Sequence, residues 1–468
     1  MNPLTDMTGA QIAAAVKAGK LKAWSVTEAA LARTEKLNPV LNGFTSITSQ
    51  RALAKADAVD ADIAAGRDPG PLAGVPFAVK NLFDVKGLPT LAGSKINRDL
   101  PPAGDDAALV KRMEAAGAVL TGALNMGEYA YDFTGQNAHD GASRNPHDPE
   151  HMSGGSSGGS GTATAAGMAS ITLGSDTNGS IRVPSSFCGL FGLKPTYGRL
   201  SRAGTFPFVS SLDHLGPIAR STADLALAYD AMQGPDPDDP GCAGRPAEPT
   251  LVELGRGIGG LRIARAGGYF ARGAMPEAFE AVDRIARAVG TDMIVDIPDA
   301  KAARGAAYLI TMAEGASLHL DRLKTRHADY DPDVRDRLIA GAMIPGAWVT
   351  KAQKLRRVYH DAVLKLFETV DVILAPATPC RAPRIGQQTM VLDGVEMPVR
   401  PNIGIFTQPI SFIGLPVVSV PVWTEGEALP IGVQLIAAPW REDFVLRLAH
   451  HLETAGVVSA PVANVQEK

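Results

Sequence analysis

Short runs made mostly of apolar residues, without a sustained polar alternation, recur along the chain, at 75–79, 119–124, 171–173, 261–264, 370–374, 417–420 and 433–436. A strand with one wet face alternates polar and apolar side chains, so runs without alternation must be covered on both sides. Helical patterns lie between them. Residues 9–35 read as two amphipathic helices, with Ser25 as the N-cap of the second. Asp105 or Asp106 is placed to cap a helix running to about Ala116, and Ser221-Thr-Ala-Asp224 resembles a capping box ahead of a helix at 225–232. Helices are also expected at 275–289, through most of 299–368 and from Glu442, with a further strand at 293–297. Buried strands alternating with helices predict an α/β protein.

Composition narrows the function classes. The 468 residues are 45% hydrophobic and 20% charged, enough for a large core in one oversized α/β domain or several ordinary ones. Forty-five Lys and Arg against 49 Asp and Glu give a net charge of -4, which offers no electrostatic footprint for nucleic acid or an anionic membrane. Cys188, Cys242 and Cys380 are too scattered for a disulfide framework or a zinc knuckle, so a reducing cytoplasm is expected. No apolar run approaches the ~20 residues of a membrane span. The opening Met1-Asn-Pro-Leu-Thr-Asp6 lacks the basic start and apolar stretch of a secretory signal. The polar stretch 234–249 reads either as an interdomain linker or as a long surface loop.

Two motifs match well-known patterns in the wrong setting. Gly255-Arg-Gly-Ile-Gly-Gly260 has dinucleotide-binding spacing, but its glycines precede a strand instead of opening a helix, so a plain turn is expected. His147-Asp-Pro-Glu-His151 has inverted zinc-protease spacing. Ligation there needs a continuous helix, and Pro149 sits inside the required turn, so a polar loop is expected and no metal.

The stretch 153–161 reads Ser-Gly-Gly-Ser-Ser-Gly-Gly-Ser-Gly. A flexible linker is one reading and a phosphate loop another. The run leads straight into helix-compatible and strand-like sequence, and no Lys-Ser/Thr pair closes it. A third reading is that the glycines let backbone approach a substrate while serines do chemistry. Soon after, Gly174-Ser-Asp-Thr-Asn-Gly-Ser-Ile-Arg182 describes a sharp turn after a strand, exposing Ser180 beside free backbone N–H groups. A serine nucleophile needs a base. His214 is one candidate. Lys80 is the stronger, because it ends a buried strand and desolvation can leave a lysine neutral.

Lys80 after Gly74-Val-Pro-Phe-Ala-Val79, Ser156 in Gly154-Gly-Ser-Ser-Gly-Gly159, and Ser180 in Asp176-Thr-Asn-Gly-Ser-Ile-Arg182 together resemble the amidase signature family. Supporting stretches are Leu37-Asn-Pro-Val-Leu-Asn42, Phe187-Cys-Gly-Leu-Phe-Gly-Leu-Lys-Pro-Thr196, Ser211-Leu-Asp-His-Leu-Gly-Pro217 and Gly414-Leu-Pro416. The resemblance implies a single α/β/α domain over 1–468 with a large mixed central sheet. It implies a cofactor-free amidohydrolase in which Ser180 is acylated and Ser156, after a cis peptide from Gly155, relays protons to Lys80. Backbone amides of Thr177, Asn178, Gly179 and Ser180 would hold the oxyanion, and Ala130 and Tyr131 would line the pocket. Arg182 is read first as a structural partner of nearby carboxylates and second as an anchor for a substrate carboxylate. Ser411 departs from the Asn of many relatives, which bears on local support and not on the triad.

Within the family, 125–139 and 174–180 look most like members that act on carboxybiuret, a small urea-like acid of cyanuric acid breakdown. The A chain of glutamine-dependent tRNA amidotransferase is the alternative, and a catalytically inactive binding protein a further one. Both subfamilies imply a small-molecule amide substrate, and a homodimer with a small helical partner chain.

Overall fold

Eleven strands form the central sheet, in the spatial order Phe44–Ile47, Val119–Leu124, Pro76–Lys80, Ile171–Asp176, His214–Ala219, Phe191–Lys194, Val417–Val422, Ile431–Ala437, Val372–Pro376, Ile263–Ala266 and Ile294–Val295. This computed structural model describes residues 2–465. The sheet is mixed. Pro76–Lys80 runs parallel to both of its neighbours, whereas the ladders from Ile171–Asp176 through Val372–Pro376 are antiparallel. Most of its strands are buried at every position, as runs without polar alternation require. The expected strand at 293–297 shrinks to Ile294–Val295, an edge strand whose Ile294 is 59% exposed.

Helix positions follow the apolar periodicity, but several caps come from distant chain. Ser25 lies inside the helix Ala23–Leu41, because the Asp60 carboxylate accepts from the amides of Ala23 and Trp24 and starts the helix earlier. Neither Asp105 nor Asp106 caps Ala108–Ala115. Asp106 instead pairs with Arg51 and accepts from Lys86 N. Ser221 does cap Thr222–Met232, but Asp224 does not reach back to complete a box. Its carboxylate accepts from Gly9 N and Ala10 N, holding the N-terminus of the helix Gly9–Lys17.

The run 153–161 is no linker, since every residue in it is buried. It leads into the helix Gly158–Ala165, where a Cβ on Gly159 would sit 2.3 Å from Gly43 O, so glycine serves close packing there. Residues 234–249 carry no helix or strand and are tied down in part by Arg202–Asp239. The helices Ala300–Arg326, Pro332–Ala342 and Gly346–Leu364 fill the segment between the strands ending at Val295 and beginning at Val372. Among the described residues, no helix is long and apolar enough to cross a membrane.

Candidate active site

Sheet register brings the first two chemical groups together. Phe77 pairs with Ile171 and Val79 with Leu173, so Lys80 ends its strand beside the part of the neighbour that continues to Ser175. Lys80 Nζ lies 2.7 Å from Ser156 Oγ and 2.8 Å from Ser175 Oγ. Ser157 clamps the loop to that strand, its hydroxyl donating to Ser175 O and accepting from Ser175 N. The Gly155–Ser156 peptide is cis. Lys80 is fully buried and its polar contacts are two neutral hydroxyls. Burial therefore pushes its pKa down to about 7, against more distant pulls from Asp213, Asp176 and Asp132.

The strand Ile171–Asp176 turns sharply through 177–181 into the helix Arg182–Phe187. Gly179 adopts φ +146°, and a Cβ there would sit 2.3 Å from Thr407 Oγ1, so only glycine fits. Thr407 Oγ1 donates to Asn178 O at 2.6 Å and Thr177 Oγ1 donates to Asp213 Oδ1 at 2.6 Å, fixing the turn from outside. Among the described residues, no protein acceptor meets the amides of Thr177, Asn178, Gly179 or Ser180. Free amides held in a rigid turn are what an oxyanion needs. Ser180 is 3% exposed and lines a pocket beside this turn. No hydrogen bond joins it to Ser156 among the described residues.

Arg182 points away from that pocket. It is fully buried, its Nε and Nη2 grip the two oxygens of Asp176 at 3.0 Å each, and Nη1 donates to Gln434 Oε1 at 2.6 Å. Arg182 Nη2 also donates to Ser411 Oγ, which in turn donates to Asp176 Oδ1 at 2.9 Å. Burial opposes ionisation of Asp176, but the charge and hydrogen bonds of Arg182 overcome it and hold the carboxyl well below the usual range. With its donors spent inside, Arg182 has no free fork for a substrate carboxylate, so the anchoring reading fails. Ser411 closes this network beneath the turn.

The pocket wall contains Ala130 and Tyr131 with Thr177 and Asn178, together with groups that no local motif announces. Tyr308 and Thr311 reach it from the helix Ala300–Arg326, Arg337 from Pro332–Ala342, and Arg400 from 399–402. Arg400 is committed to Asp132 at 2.8 Å and Asp333 at 2.9 Å. Arg337 is different. It donates to the carbonyls of Asp333 and Tyr131 and stacks 3.8 Å over the Tyr131 ring, and no carboxylate pairs with it among the described residues. Burial lowers its pKa. The Tyr131 hydroxyl is buried without a partner, and burial pushes its pKa up to about 12.

The other candidates are placed elsewhere. His214 directs Nδ1 at Asp176 O, 3.0 Å away, and burial holds the ring neutral by pushing its pKa well below the ordinary value. The HxxEH segment is not the expected polar loop. Asp148–Met152 is a strand paired with Arg144–Asn145, because extended backbone suits Pro149 where a helix does not. His147 contacts Cys188 O and His151 contacts Asp148, so the two imidazoles have separate partners. Gly257 and Gly260 take positive φ in a turn ahead of the strand Ile263–Ala266.

The sequence profile of one family, Amidase, matches residues 25–446. The chain is 53% identical over 452 residues to the AtzE chain of 1-carboxybiuret hydrolase from Pseudomonas sp. (strain ADP), covering 96% of this chain and 99% of that one. It is 38% identical over 481 residues to the A chain of glutamyl-tRNA(Gln) amidotransferase from Geobacter metallireducens, covering 97% and 98%. A solved structure described as a vestigial protein complex that reveals the evolutionary origins of an s-triazine catabolic enzyme superposes with a TM-score of 0.96 at 53% identity, covering 97% of this chain and 100% of that chain. Profile, relatives and fold agree on one conclusion: the chain belongs to the amidase signature family of C–N hydrolases.

Proposed function

We propose that the protein hydrolyses the terminal amide of 1-carboxybiuret, or of a closely similar urea-like acid, and releases ammonia. The observation that carries this reading is Arg337, a partly buried guanidinium on the wall of the Ser180 pocket with no carboxylate partner among the described residues. A substrate carboxylate supplies the missing charge. Glutamine also brings a carboxylate, but it brings an α-ammonium as well. The one carboxylate on this wall, Asp132, is already taken by Arg400, the Thr134 hydroxyl and the amides of Thr134 and Gly135. That balance favours an acid without an amine over the amidotransferase reading.

The chemistry follows from the buried lysine. Neutral Lys80 accepts the Ser156 proton as Ser156 accepts that of Ser180, and Ser180 Oγ attacks the scissile carbonyl carbon. The amides of Thr177, Asn178, Gly179 and Ser180 hold the oxyanion. As the tetrahedral adduct collapses, the relay returns a proton to the leaving nitrogen and ammonia departs, with the acyl group on Ser180. Water then attacks through the same relay and frees the acid. No metal or cofactor enters these steps. We also propose a homodimer bound to a small helical partner, supported by the solved relative being described as a complex.

The test is ammonia release by the purified protein from carboxybiuret, biuret, glutamine and simple aliphatic amides. Carboxybiuret is expected to be the best substrate. Release from glutamine alone, appearing only with partner chains and acceptor tRNA, would move the protein to the amidotransferase branch.

Lys80 also sets the pH dependence. The relay needs the free amine, and burial places the pKa at about 7. On carboxybiuret, kcat/KM is expected to rise about tenfold per pH unit below that value and to level off above it. A profile flat from pH 5.5 to 8.5 would remove Lys80 as the base.

A further inference from the structure

Asn178 carries a group that the acyl-transfer chemistry does not use. Its main chain belongs to the oxyanion turn, and the residue, 7% exposed, lines the pocket together with Thr311, which its side chain touches. The side-chain Nδ2 donates to Thr311 Oγ1 at 3.0 Å, which fixes the amide against the helix Ala300–Arg326. Oδ1, the other end of that amide, is sealed from water and meets no donor among the described residues. A buried acceptor in this state is costly to leave unmet, and a ligand donor arriving there recovers the cost.

The rest of the wall says which donor. The pocket is rich in groups that give protons: the amides of the turn, the unpartnered Tyr131 hydroxyl and Arg337. Acceptors are scarce. Both oxygens of Asp132 are occupied, and Gln408 Oε1 accepts from Arg304 Nε at 2.8 Å. A urea-like substrate carries an N–H next to the scissile carbonyl, where an ordinary carboxamide carries a methylene. Asn178 stands two residues before the nucleophile, in the same turn whose free amides face the Ser180 pocket.

We propose that Asn178 Oδ1 is the specificity-determining acceptor for the N–H adjoining the scissile carbonyl, and that Thr311 is its positioning residue. This rests on the reading of the protein as a hydrolase of a small urea-like acid. The pair selects ureido over alkyl amides, because the methylene analogue leaves the buried oxygen without a donor.

The experiment compares N-carbamoylglycine with succinamate, two acids of the same length that differ by N–H against CH2 beside the scissile carbonyl, with carboxybiuret as reference. Wild-type protein, Asn178→Ala and Thr311→Val are assayed for kcat/KM, and a compound that is not turned over is read as a competitive inhibitor. Labelling of Ser180 by a fluorophosphonate and thermal unfolding report that each variant keeps its fold and nucleophile. Asn178→Ala is expected to lose about 10- to 100-fold more on carboxybiuret and N-carbamoylglycine than it loses on succinamate. Thr311→Val should shift the same ratio in the same direction by less, with its labelling rate unchanged. Equal losses on both acids, in a variant that still labels, would overturn the proposal. Wild-type protein inert toward carboxybiuret and N-carbamoylglycine but active on glutamine would instead overturn the substrate class, which the two variants do not address. Should Asn178→Ala fail to fold, the Thr311→Val ratio decides alone, and no change in it counts against the pair.

Discussion

Ser180→Ala is expected to abolish fluorophosphonate labelling and to lower kcat by ~10⁴-fold or more, with the thermal unfolding transition nearly unmoved. The side chain is small and the turn that carries it is held by other groups: Thr407 on Asn178, Asp213 on Thr177, and Asp176 with Arg182 below. Losing one hydroxyl leaves those ties intact. The oxyanion amides also remain, so a residual rate above that in water should persist. Ammonia release within about tenfold of wild type, from a well-folded Ser180→Ala protein, would show that the nucleophile is another group.

Arg337→Gln should have the second largest effect, and it should fall on KM. A charge-assisted contact to a carboxylate inside a pocket commonly contributes about 3 kcal/mol, so kcat/KM for carboxybiuret is expected to fall about 100-fold. A neutral amide should change by less than about threefold, because it has no carboxylate to offer. Gln removes the guanidinium that stacks over the Tyr131 ring but keeps a side-chain N–H donor in place of the one given to the Tyr131 carbonyl. A loss of equal size on acid and neutral amide would assign Arg337 to holding the Tyr131 loop and not to the substrate.

Much of the fold was legible because the sheet is buried. A strand such as Val119–Leu124 is apolar or small at every position, and its limits follow from that alone. The caps were harder, since the carboxylates that start helices come from across the molecule: Asp60 for Ala23–Leu41 and Asp224 for Gly9–Lys17. Local spacing cannot show them. Lys80, Ser156 and Ser180 sat in glycine-marked contexts that survive as sequence. Ser175 was less plain, because the register that pairs Val79 with Leu173 sets Gly174 opposite Lys80, and the serine that meets the amine lies one residue beyond. Arg337 was not legible. Arg335-Asp-Arg337 reads as a solvated helix face, and only the docking of Pro332–Ala342 turns one of the two guanidinium groups over the Tyr131 ring. Asn178 was visible as a turn residue, but its unmet oxygen is a property of what surrounds it.

The groups assigned to bond making all lie between the strand Pro76–Lys80 and the helix Arg182–Phe187, whereas the side chains that face the substrate from the opposite wall come from 308–400. Reactivity is therefore written in the first stretch of the gene, whereas selectivity is shared between that stretch, through Asn178, and the second, through Thr311 and Arg337. Point changes or recombination in the second stretch can redirect the enzyme to a new acid without passing through a dead intermediate. The seam has a fixed position, because Thr407 grips the turn at Asn178 and Ser411 grips Arg182. An exchange that stops before 404 keeps both grips, and one that runs past 411 must bring its own.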